Sequence, residues 1–301
     1  MRRTAYDRGV NSHLALASCL DMPTGDGDDL PLVQALEALG YQVSMVPWDQ
    51  PGVDWSEYAA TVIRATWNYT TQREEFLKWV TSVPRLHNPA PVVLANTDKT
   101  YLADLAAAGL PVVPTQLVLP GAEPELPESG EFVLKPSIGA GSRGVGRFDA
   151  GRPGAHQQAR EHAVRLHAAG RTVLVQPYLD TVDTAGETAL IFFDGVFSHA
   201  IRKGPMLEPE VRHPMDSAAL YIEENITARQ PSPAELAVAE RVLAHANAGL
   251  AENLLYARID LLPGPDGPVV VELELVEPSL FFRYADGAAE RLAAAISARV
   301  S

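Results

Sequence analysis

The stretch that decides the fold is FVLKPSIGAGSRGVGRF, residues 132 to 148. A short apolar run closes on a lysine, and a glycine-rich segment follows at once. Glycines let backbone amides approach a polyanion without obstruction by Cβ atoms. The pattern predicts a phosphate-binding loop, although a plain β-hairpin with flexible glycines would look similar. The candidate residues are Gly139, Gly141, Ser142 and Gly144, with Lys135 and Arg143 as the cations.

Length and composition favour a globular protein of about two domains, because 301 residues with 47% hydrophobic content supply ample core. No apolar run reaches the roughly 20 residues of a membrane span, and the N-terminus lacks the apolar stretch of a secretory signal. We therefore expect a cytoplasmic protein without a membrane partner. The lone Cys19 lies in an apolar run, which favours a buried structural thiol over a nucleophile.

A net charge of −14 argues against a nucleic-acid partner, because binding to phosphate backbones relies on clustered lysine and arginine. An anion such as ATP would instead be held locally, by a few placed cations, amides and metal ions. The sequence is compatible with a homo-oligomer and does not determine the oligomeric state.

Alternating strand and helix patterns predict an open α/β layer over the first ninety or so residues. Asp28 and Asp29 are expected to cap the first helix, and Gly40 to end it in a left-handed conformation. The predicted strands span residues 13–20, 42–46 and 59–64, and the predicted helices span 30–39 and 72–80.

A hairpin is predicted from Glu187 to Lys203, because Asp194-Gly195 favours a two-residue type I′ turn. A register that pairs Phe193 with Val196 across this turn also pairs Glu187 with Arg202.

Two alternating strands follow in YARIDLLPGPDGPVVVELELVEP, residues 256 to 278. A register that pairs Asp260 with Glu272 also pairs Arg258 with Glu274. A solvated strand face with a cross-strand ion pair explains the arginine. Three neighbouring anions, however, repel one another unless a cation lies among them, and Mg²⁺ prefers hard oxygen ligands. The pattern predicts a magnesium site.

These features, in this order, resemble the ATP-grasp carboxylate–amine ligases from about Asn96 onward. The resemblance implies an α/β (α+β) protein with the ATP-grasp fold. Its parts would be an N-terminal open α/β substrate domain (1–95), a central ATP-grasp subdomain with a glycine-rich lid (96–180) and a C-terminal ATP-grasp subdomain with the metal site (181–301). Residues 204–219 look irregular, and either a mobile lid or a static surface loop fits them.

The resemblance also implies residue roles in ATP binding. Lys99 and Lys135 match the two ATP lysines, and Lys135 stands just ahead of the lid. The hinge whose backbone meets the adenine corresponds to LVQPYL, residues 174 to 179, with Gln176 and Leu179 at its edges. Glu187 matches a glutamate that contacts the nucleotide. Either Arg202 or Lys203 falls where a cation reaches the γ-phosphate.

The resemblance also implies which residues bind the metal and which take part in catalysis. Asp260, Glu272 and Glu274 match the ligands of Mg²⁺, for which Mn²⁺ can substitute. Glu274 departs from the common pattern, because many relatives have asparagine there, but both side chains offer an oxygen. The implied catalytic residues are Arg258, Arg202 and Lys135.

A narrower resemblance, to the small cycloserine-forming subgroup, is carried by ATWNY (65–69), ANTDK (95–99) and VELELVEPSLFF (271–282). It implies that ATP activates the carboxylate of a small amino-acid-like substrate, O-ureido-D-serine, as an acylphosphate, and that a nitrogen of the same molecule attacks it. A ligase that joins two amino acids, or an ATP-binding regulatory module without turnover, is an alternative.

Candidate substrate residues follow the third predicted strand, where open α/β layers bind ligands at the carboxyl ends of strands. Packing or turn formation explains Trp67 and Asn68 equally well. The candidates are Arg64, Thr66, Trp67 and Asn68.

Overall fold

A computed structural model describes residues 12–205, 207 and 225–300 of the chain. The irregular segment at 204–219 therefore lies mostly outside the described residues. The chain forms two compact units, one made of residues up to Val93 together with Val276 onward, and one from Leu94 to Leu275. The sequence pattern gave no sign that the chain returns to its first unit. The three-part division at residues 95 and 180 stays a prediction.

The described residues form thirteen strands and eight α-helices. The strands are β1 (His13–Ser18), β2 (Gln42–Pro47), β3 (Ala60–Ile63), β4 (Leu86–His87), β5 (Gln116–Val118), β6 (Glu131–Pro136), β7 (Gly146–Asp149), β8 (Val173–Pro177), β9 (Glu187–Phe193), β10 (Val196–Lys203), β11 (Ile226–Arg229), β12 (Tyr256–Gly264) and β13 (Gly267–Glu274). The helices are α1 (Leu30–Ala38), α2 (Arg73–Ser82), α3 (Ala90–Asn96), α4 (Tyr101–Ala107), α5 (Ala155–Ala168), α6 (Thr181–Ala185), α7 (Pro233–Asn247) and α8 (Ala288–Val300). None of these helices combines the length and the hydrophobicity that crossing a membrane requires.

The first unit contains a parallel sheet in the order β2-β1-β3-β4, which confirms the predicted α/β layer. β1 is the buried centre, and Leu14 to Ala17 are at most 1% exposed. The chain passes from β1 to β2 on one side and then to β3 on the other, so the strand order reverses between β1 and β3. Such a switch point, at the carboxyl ends of the strands, is where open α/β sheets bind ligands.

The predicted capping roles of Asp28 and Asp29 are wrong, because both carboxylates serve distant partners. Asp29 stands at the N-cap of α1 but makes no side-chain cap bond. Asp28 accepts three backbone amides, from Leu280 and Phe281 at 2.9 and 2.7 Å and from Phe282 at 2.8 Å. Asp28 therefore fastens the C-terminal segment to the start of α1 within the first unit.

The second unit contains two antiparallel sheets, in the orders β5-β8-β6-β7 and β11-β10-β9-β12-β13. Helix α5 packs on the four-stranded sheet, and the core between them includes Phe132, Leu134, Leu166 and Val173, all 0% exposed. Helix α7 packs against β12 and β13 and begins with a capping box, in which Ser232 and Glu235 satisfy each other's backbone amides.

The β9–β10 hairpin confirms the predicted turn but not the predicted register. Asp194 and Gly195 both have positive φ, at 50° and 82°, as a type I′ turn requires. Phe193 lies opposite Val196 as predicted, but a β-bulge follows between Phe197 and His199. The bulge shifts every later pair by one residue, and Glu187 therefore lies opposite Lys203 rather than Arg202.

We expect Asp28→Ala to lower the free energy of unfolding of the first unit by about 3 kcal/mol, because three buried amides lose their acceptor. All four tryptophans lie in this unit, so tryptophan fluorescence during urea unfolding follows it selectively. The matched control is Glu37→Ala, which removes an exposed carboxylate from α1. An equal loss of stability in the two variants would contradict the role assigned to Asp28.

Candidate active site

The five-stranded sheet carries the predicted carboxylate cluster on β12 and β13. Arg258 lies opposite Glu274 and Asp260 lies opposite Glu272, which confirms the predicted register. The pairing shifts immediately afterwards, at a β-bulge that includes Val271. Residues two apart on a strand share a face, so all four charged side chains project from one face of the sheet.

Asp260 is the centre of this cluster and is 0% exposed. Nε of Arg258 donates to both Asp260 oxygens, at 3.0 and 3.2 Å, and Nη2 donates at 2.9 Å and also contacts Glu274. Lys203 donates to Asp260 at 2.7 Å and pairs with Glu187. A solvated strand face is therefore the wrong description, because Asp260 is fully buried and Arg258 is only 6% exposed.

Lys99 joins the cluster from the segment that precedes α4. Its amine lies 2.9 Å from Glu272 and donates to the Gly139 carbonyl at 2.7 Å. Its backbone amide donates to the Ser137 carbonyl, also at 2.7 Å. One residue thus connects the carboxylate cluster to both the root and the body of the glycine-rich segment.

Neighbouring cations favour the ionised form of two carboxyl groups in the cluster, the fully buried Asp260 and the partly buried Glu272. Burial raises the pKa of Asp260, but Arg258 and Lys203 together lower it more, and the pKa falls to about 2. At Glu272 the effect of burial is likewise outweighed, by Lys99 above all, so the pKa of Glu272 is lowered.

Burial dominates at the other two carboxyl groups. It raises the pKa of Glu274 to about 8 despite Arg258, and it raises the pKa of Glu187 to about 7 despite Lys203. Titratable groups perturbed in this way concentrate at functional sites. A further cation bound among these carboxyl groups would favour their ionised forms.

The donor set fits the predicted metal. Asp260, Glu272 and Glu274 each offer one oxygen, and these oxygens lie within 4.8 Å of one another. Carboxylate oxygens are the ligands that Mg²⁺ and Mn²⁺ prefer. The assignment of these three residues as metal ligands stays a prediction.

Two side chains that the predicted site did not include hold in place β13, the strand that carries Glu272 and Glu274. β13 is an edge strand. The Asn96 side chain donates to the Leu273 carbonyl at 2.9 Å and accepts from the Leu275 amide at 2.8 Å. The Tyr101 hydroxyl accepts from the Leu273 amide at 3.0 Å. These contacts fix the backbone on both sides of Glu274. Asn96 was visible only as part of the ANTDK motif, and nothing marked Tyr101.

The glycine-rich segment connects β6 to β7 as a hairpin, in the place that the sequence predicted. Gly141, Ser142 and Gly144 all have positive φ, between 57° and 73°. A Cβ atom on Gly139 would lie 3.3 Å from Cγ of Pro136, so little room exists there for a side chain. Backbone of this kind can present its amides to an anion, but the phosphate-binding role of these residues stays a prediction.

Lys135 closes β6 at the root of this loop. Among the described residues, no acceptor lies within hydrogen-bond distance of its amine. Burial lowers the pKa of Lys135 to about 8, although Glu272 opposes this effect. Ser137, two residues further on, has a buried Oγ atom that likewise finds no partner in the described part of the chain. Buried polar groups are normally paired, so the root of the loop offers unused donors to an anionic ligand.

The predicted adenine hinge follows β8. The side chain of Gln176 is buried and donates to Thr115 Oγ1 at 2.8 Å. The carbonyl of Leu179 accepts from the Val182 amide at 3.0 Å, where α6 begins. The Gln176 side chain thus joins β8 to Thr115, the residue before β5. The Tyr178 carbonyl and the Leu179 amide are the candidate backbone contacts for adenine.

The structure brings Lys203 into the carboxylate cluster and leaves Arg202 outside it. Nε of Arg202 donates to the Ala185 carbonyl at 2.7 Å, and Nη2 donates to the Thr184 carbonyl at 3.3 Å. Adjacent strand residues point to opposite faces of a sheet, so only one of these two cations can face the cluster. The geometry favours Lys203 as the cation that reaches a phosphate.

Two of the four candidate substrate residues contact the C-terminal segment of the first unit. Arg64 is 2% exposed, pairs with Asp29 at 2.8 Å and donates to the Pro278 carbonyl at 3.1 Å. Nε1 of Trp67 donates to the Glu277 carbonyl at 2.9 Å. Both side chains therefore hold backbone in place, and contact with a substrate stays a prediction for them.

The other two candidates lie on the same loop. The side-chain oxygen of Asn68 accepts from Trp48 at 2.8 Å, and its amide group donates to Asp21 and Asp49 at 3.1 and 2.8 Å. Thr66 is 0% exposed, and its Oγ1 atom has no partner among the described residues. All four candidates follow β3 at the switch point of the parallel sheet, as predicted from the sequence, but their contact with substrate is untested.

The fold defines the class of protein. The chain aligns with the ATP-grasp ligase PsnB, solved with a phosphomimetic variant of its minimal precursor, Mg and ADP, at a TM-score of 0.62 and 19% identity over 97% of this chain and 100% of that one. At this level of identity the likeness establishes the fold, and the chain has the ATP-grasp fold.

Three further comparisons give the family. The cycloserine biosynthesis protein DcsG of Streptomyces lavendulae is 39% identical over 288 residues, which cover 91% of this chain and 94% of that protein. The crystal structure of D-cycloserine synthetase DcsG matches with a TM-score of 0.86 and 38% identity, over 96% of this chain and all of that one. A family model described as the N-terminal domain of D-cycloserine synthetase DcsG matches residues 14–88. The chain belongs to the D-cycloserine synthetase family of ATP-grasp ligases, and it is an ATP-dependent ligase that forms C–N bonds.

The corrected hairpin register yields a matched pair of variants. We expect Lys203→Met to lower kcat for ATP turnover on the order of a hundredfold, because the variant would lack the cation that we assign to a phosphate. Arg202→Met should stay within about threefold of the wild type, because its guanidinium contacts α6 carbonyls instead. Steady-state measurement of ADP release decides between them, and the reverse order of effects would refute the assignment of Lys203.

Proposed function

We propose that this chain closes O-ureido-D-serine to D-cycloserine in a reaction that consumes ATP and releases ADP and phosphate. The observation that carries the proposal is the 39% identity to DcsG over 91% of the chain. The cluster of cations and carboxylates described above supports it, because function depends on the site rather than on the fold alone.

The first step requires charge to be placed around a phosphoryl group. A substrate carboxylate attacks the γ-phosphate, an acylphosphate forms and ADP leaves. Catalysis of phosphoryl transfer consists mostly of positioning and electrostatic stabilisation. Lys99, Lys135 and Lys203 would offset the negative charge that develops on the phosphate oxygens. Lys135 is the most available of the three, since its amine has no hydrogen-bonded partner within the described chain.

A divalent cation, when bound, would supply further positive charge at the phosphate oxygens. Asp260, Glu272 and Glu274 would hold it. Arg258 keeps two of these ligands in place through its contacts with Asp260 and Glu274. The same guanidinium is the best candidate to stabilise an oxyanion at the acyl carbon, as the resemblance implies.

Ring closure follows within one molecule. The ureido nitrogen that is bonded to oxygen attacks the acyl carbon, and inorganic phosphate leaves. Because nucleophile and acyl group share a chain, their proximity needs no second binding site. The ring nitrogen then still carries a carbamoyl group, and one water must convert that group into carbon dioxide and ammonia before free cycloserine is formed. The protein therefore has to position the substrate rather than bring two substrates together.

The proposal is tested with the purified full-length chain, Mg²⁺-ATP and O-ureido-D-serine as the single substrate. We expect ADP and cycloserine in equal amounts, with ADP followed by a coupled assay and the products identified by mass spectrometry. Amino acids supplied singly and in pairs are the control panel. ADP release only with pairs would replace ring closure by ligation of two molecules. ADP binding without any turnover would indicate a regulatory module.

The metal site makes a separate prediction. We expect Glu272→Gln to raise the Mg²⁺ concentration needed for half-maximal activity at least roughly tenfold, since changes around metal ligands commonly cost 10–100-fold in affinity. Excess Mg²⁺ should restore part of the activity, and Mn²⁺ titration followed by electron paramagnetic resonance should show weaker binding without any substrate. Asp266→Asn, an exposed change in the turn of the same hairpin, is the control. Equal Mn²⁺ affinity in the wild type and the Glu272 variant would exclude Glu272 as a ligand.

A further inference from the structure

Arg147 is a buried cation to which neither the predicted chemistry nor the resemblance assigns a role. It lies on β7, directly after Gly146, and is 6% exposed. Its Nε and Nη2 atoms donate to the two oxygens of Glu131 at 3.0 and 2.6 Å. Nη2 also lies 3.4 Å from Asp183, and Nη1 donates to the Leu207 carbonyl at 2.9 Å. One guanidinium thus connects the strand that leaves the glycine-rich loop with three other segments.

Tyr178 covers one face of the Arg147 guanidinium group. Cζ of Arg147 lies 3.5 Å from the centre of the Tyr178 ring, which is close for a cation–π pair. The Tyr178 hydroxyl donates to Asp183 at 2.5 Å, and the Tyr178 amide donates to the Glu131 carbonyl at 2.9 Å. The ring, the hydroxyl and the backbone of Tyr178 are therefore each held, and Arg147 touches both of the carboxylate residues that hold them.

Tyr178 occupies the predicted adenine hinge, between Gln176 and Leu179. In the predicted hinge, adenine would be recognised by backbone atoms. The orientation of those atoms depends on how firmly the residue that carries them is held. Tyr178 is fixed by its side chain, and that side chain is fixed by Arg147 and Asp183. Arginine suits this task better than lysine, because its planar fork can hold a carboxylate on its edge while its face stacks on a ring.

We infer that Arg147 is a positioning residue for nucleotide recognition, which sets the hinge backbone at Tyr178 and Leu179 against the adenine ring. The inference rests on the proposed nucleotide site. It assigns the base selectivity of the enzyme to a residue that does not contact the base. The lysines around the carboxylate cluster would contact the phosphates, which all nucleoside triphosphates share. Arg147 would instead act on the part of the site that distinguishes one base from another.

The test compares binding of ADP and GDP, in the presence of Mg²⁺, to the full-length chain by isothermal titration calorimetry. We expect Arg147→Met to weaken ADP binding about tenfold, roughly the value of one hydrogen bond in affinity, and to weaken GDP binding much less. The ratio of the two dissociation constants should therefore fall. Arg147→Lys should recover only part of it, because lysine keeps the charge but not the planar fork. Arg152→Met is the control, since Arg152 is an exposed arginine in the turn after the same strand.

Tyr178→Leu provides a second route to the same effect if Arg147→Met does not fold. It removes the ring on which Arg147 stacks, and it should lower the preference for ADP over GDP in the same direction. Equal weakening of ADP and GDP in these variants, or unchanged binding of both, would overturn the inference. Wild-type chain that binds ADP in preference to GDP but fails to form cycloserine would remove the proposed reaction and leave the inference standing. Wild-type chain that binds neither nucleotide would remove both.

Discussion

The second unit depends on one buried carboxylate that stays ionised, that of Asp260. Removing an ion from water costs several kcal/mol of free energy even after relaxation, and only close, oppositely charged or hydrogen-bonding partners offset it. Asp260 has them in Arg258, two residues away on its own strand, and in Lys203, on a strand two places away in the same sheet. The sheet order β10-β9-β12 is therefore not only a matter of apolar packing. It is also the arrangement that lets this charge exist in the interior, and the other ionisable groups of the site take their positions around it.

The charges around Asp260 fall into two groups with different work. Arg258 mainly holds carboxylates in place, since it contacts both Asp260 and Glu274. Lys99 bridges Glu272 and the glycine-rich loop. Burial lowers the pKa of Lys135 to about 8, and the neighbouring Glu272 only partly opposes this effect. The site thus combines cations that hold other groups in place with Lys135, whose protonated form a bound anion would stabilise.

Much of this arrangement could be predicted from the sequence, and the limits have physical causes. The pairing of Arg258 and Asp260 with Glu274 and Glu272 was visible from the alternation of charged and apolar residues on the two strands, although the turn alone would have placed Asp260 opposite Val271. The partner of Glu187 was not, because a β-bulge leaves no mark in a pattern of apolar and polar residues. Asp28 looked like a helix cap, since aspartate commonly is one, but its true partners lie more than 250 positions away. Local rules therefore predicted elements and faces, and contacts between distant segments decided which side chains do what.

The way in which β13 ends its sheet has a consequence for how the protein behaves among its neighbours. An open strand edge is a template on which another chain can add a strand, and natural proteins protect such edges. Here the side chains of Asn96 and Tyr101 occupy the outward-facing backbone groups of Leu273 and Leu275. The stretch of chain that carries two acidic ligand candidates is thereby closed to intermolecular pairing. Loss of the Asn96 amide would free the Leu273 carbonyl and the Leu275 amide at this edge, and self-association through it would compete with the native state.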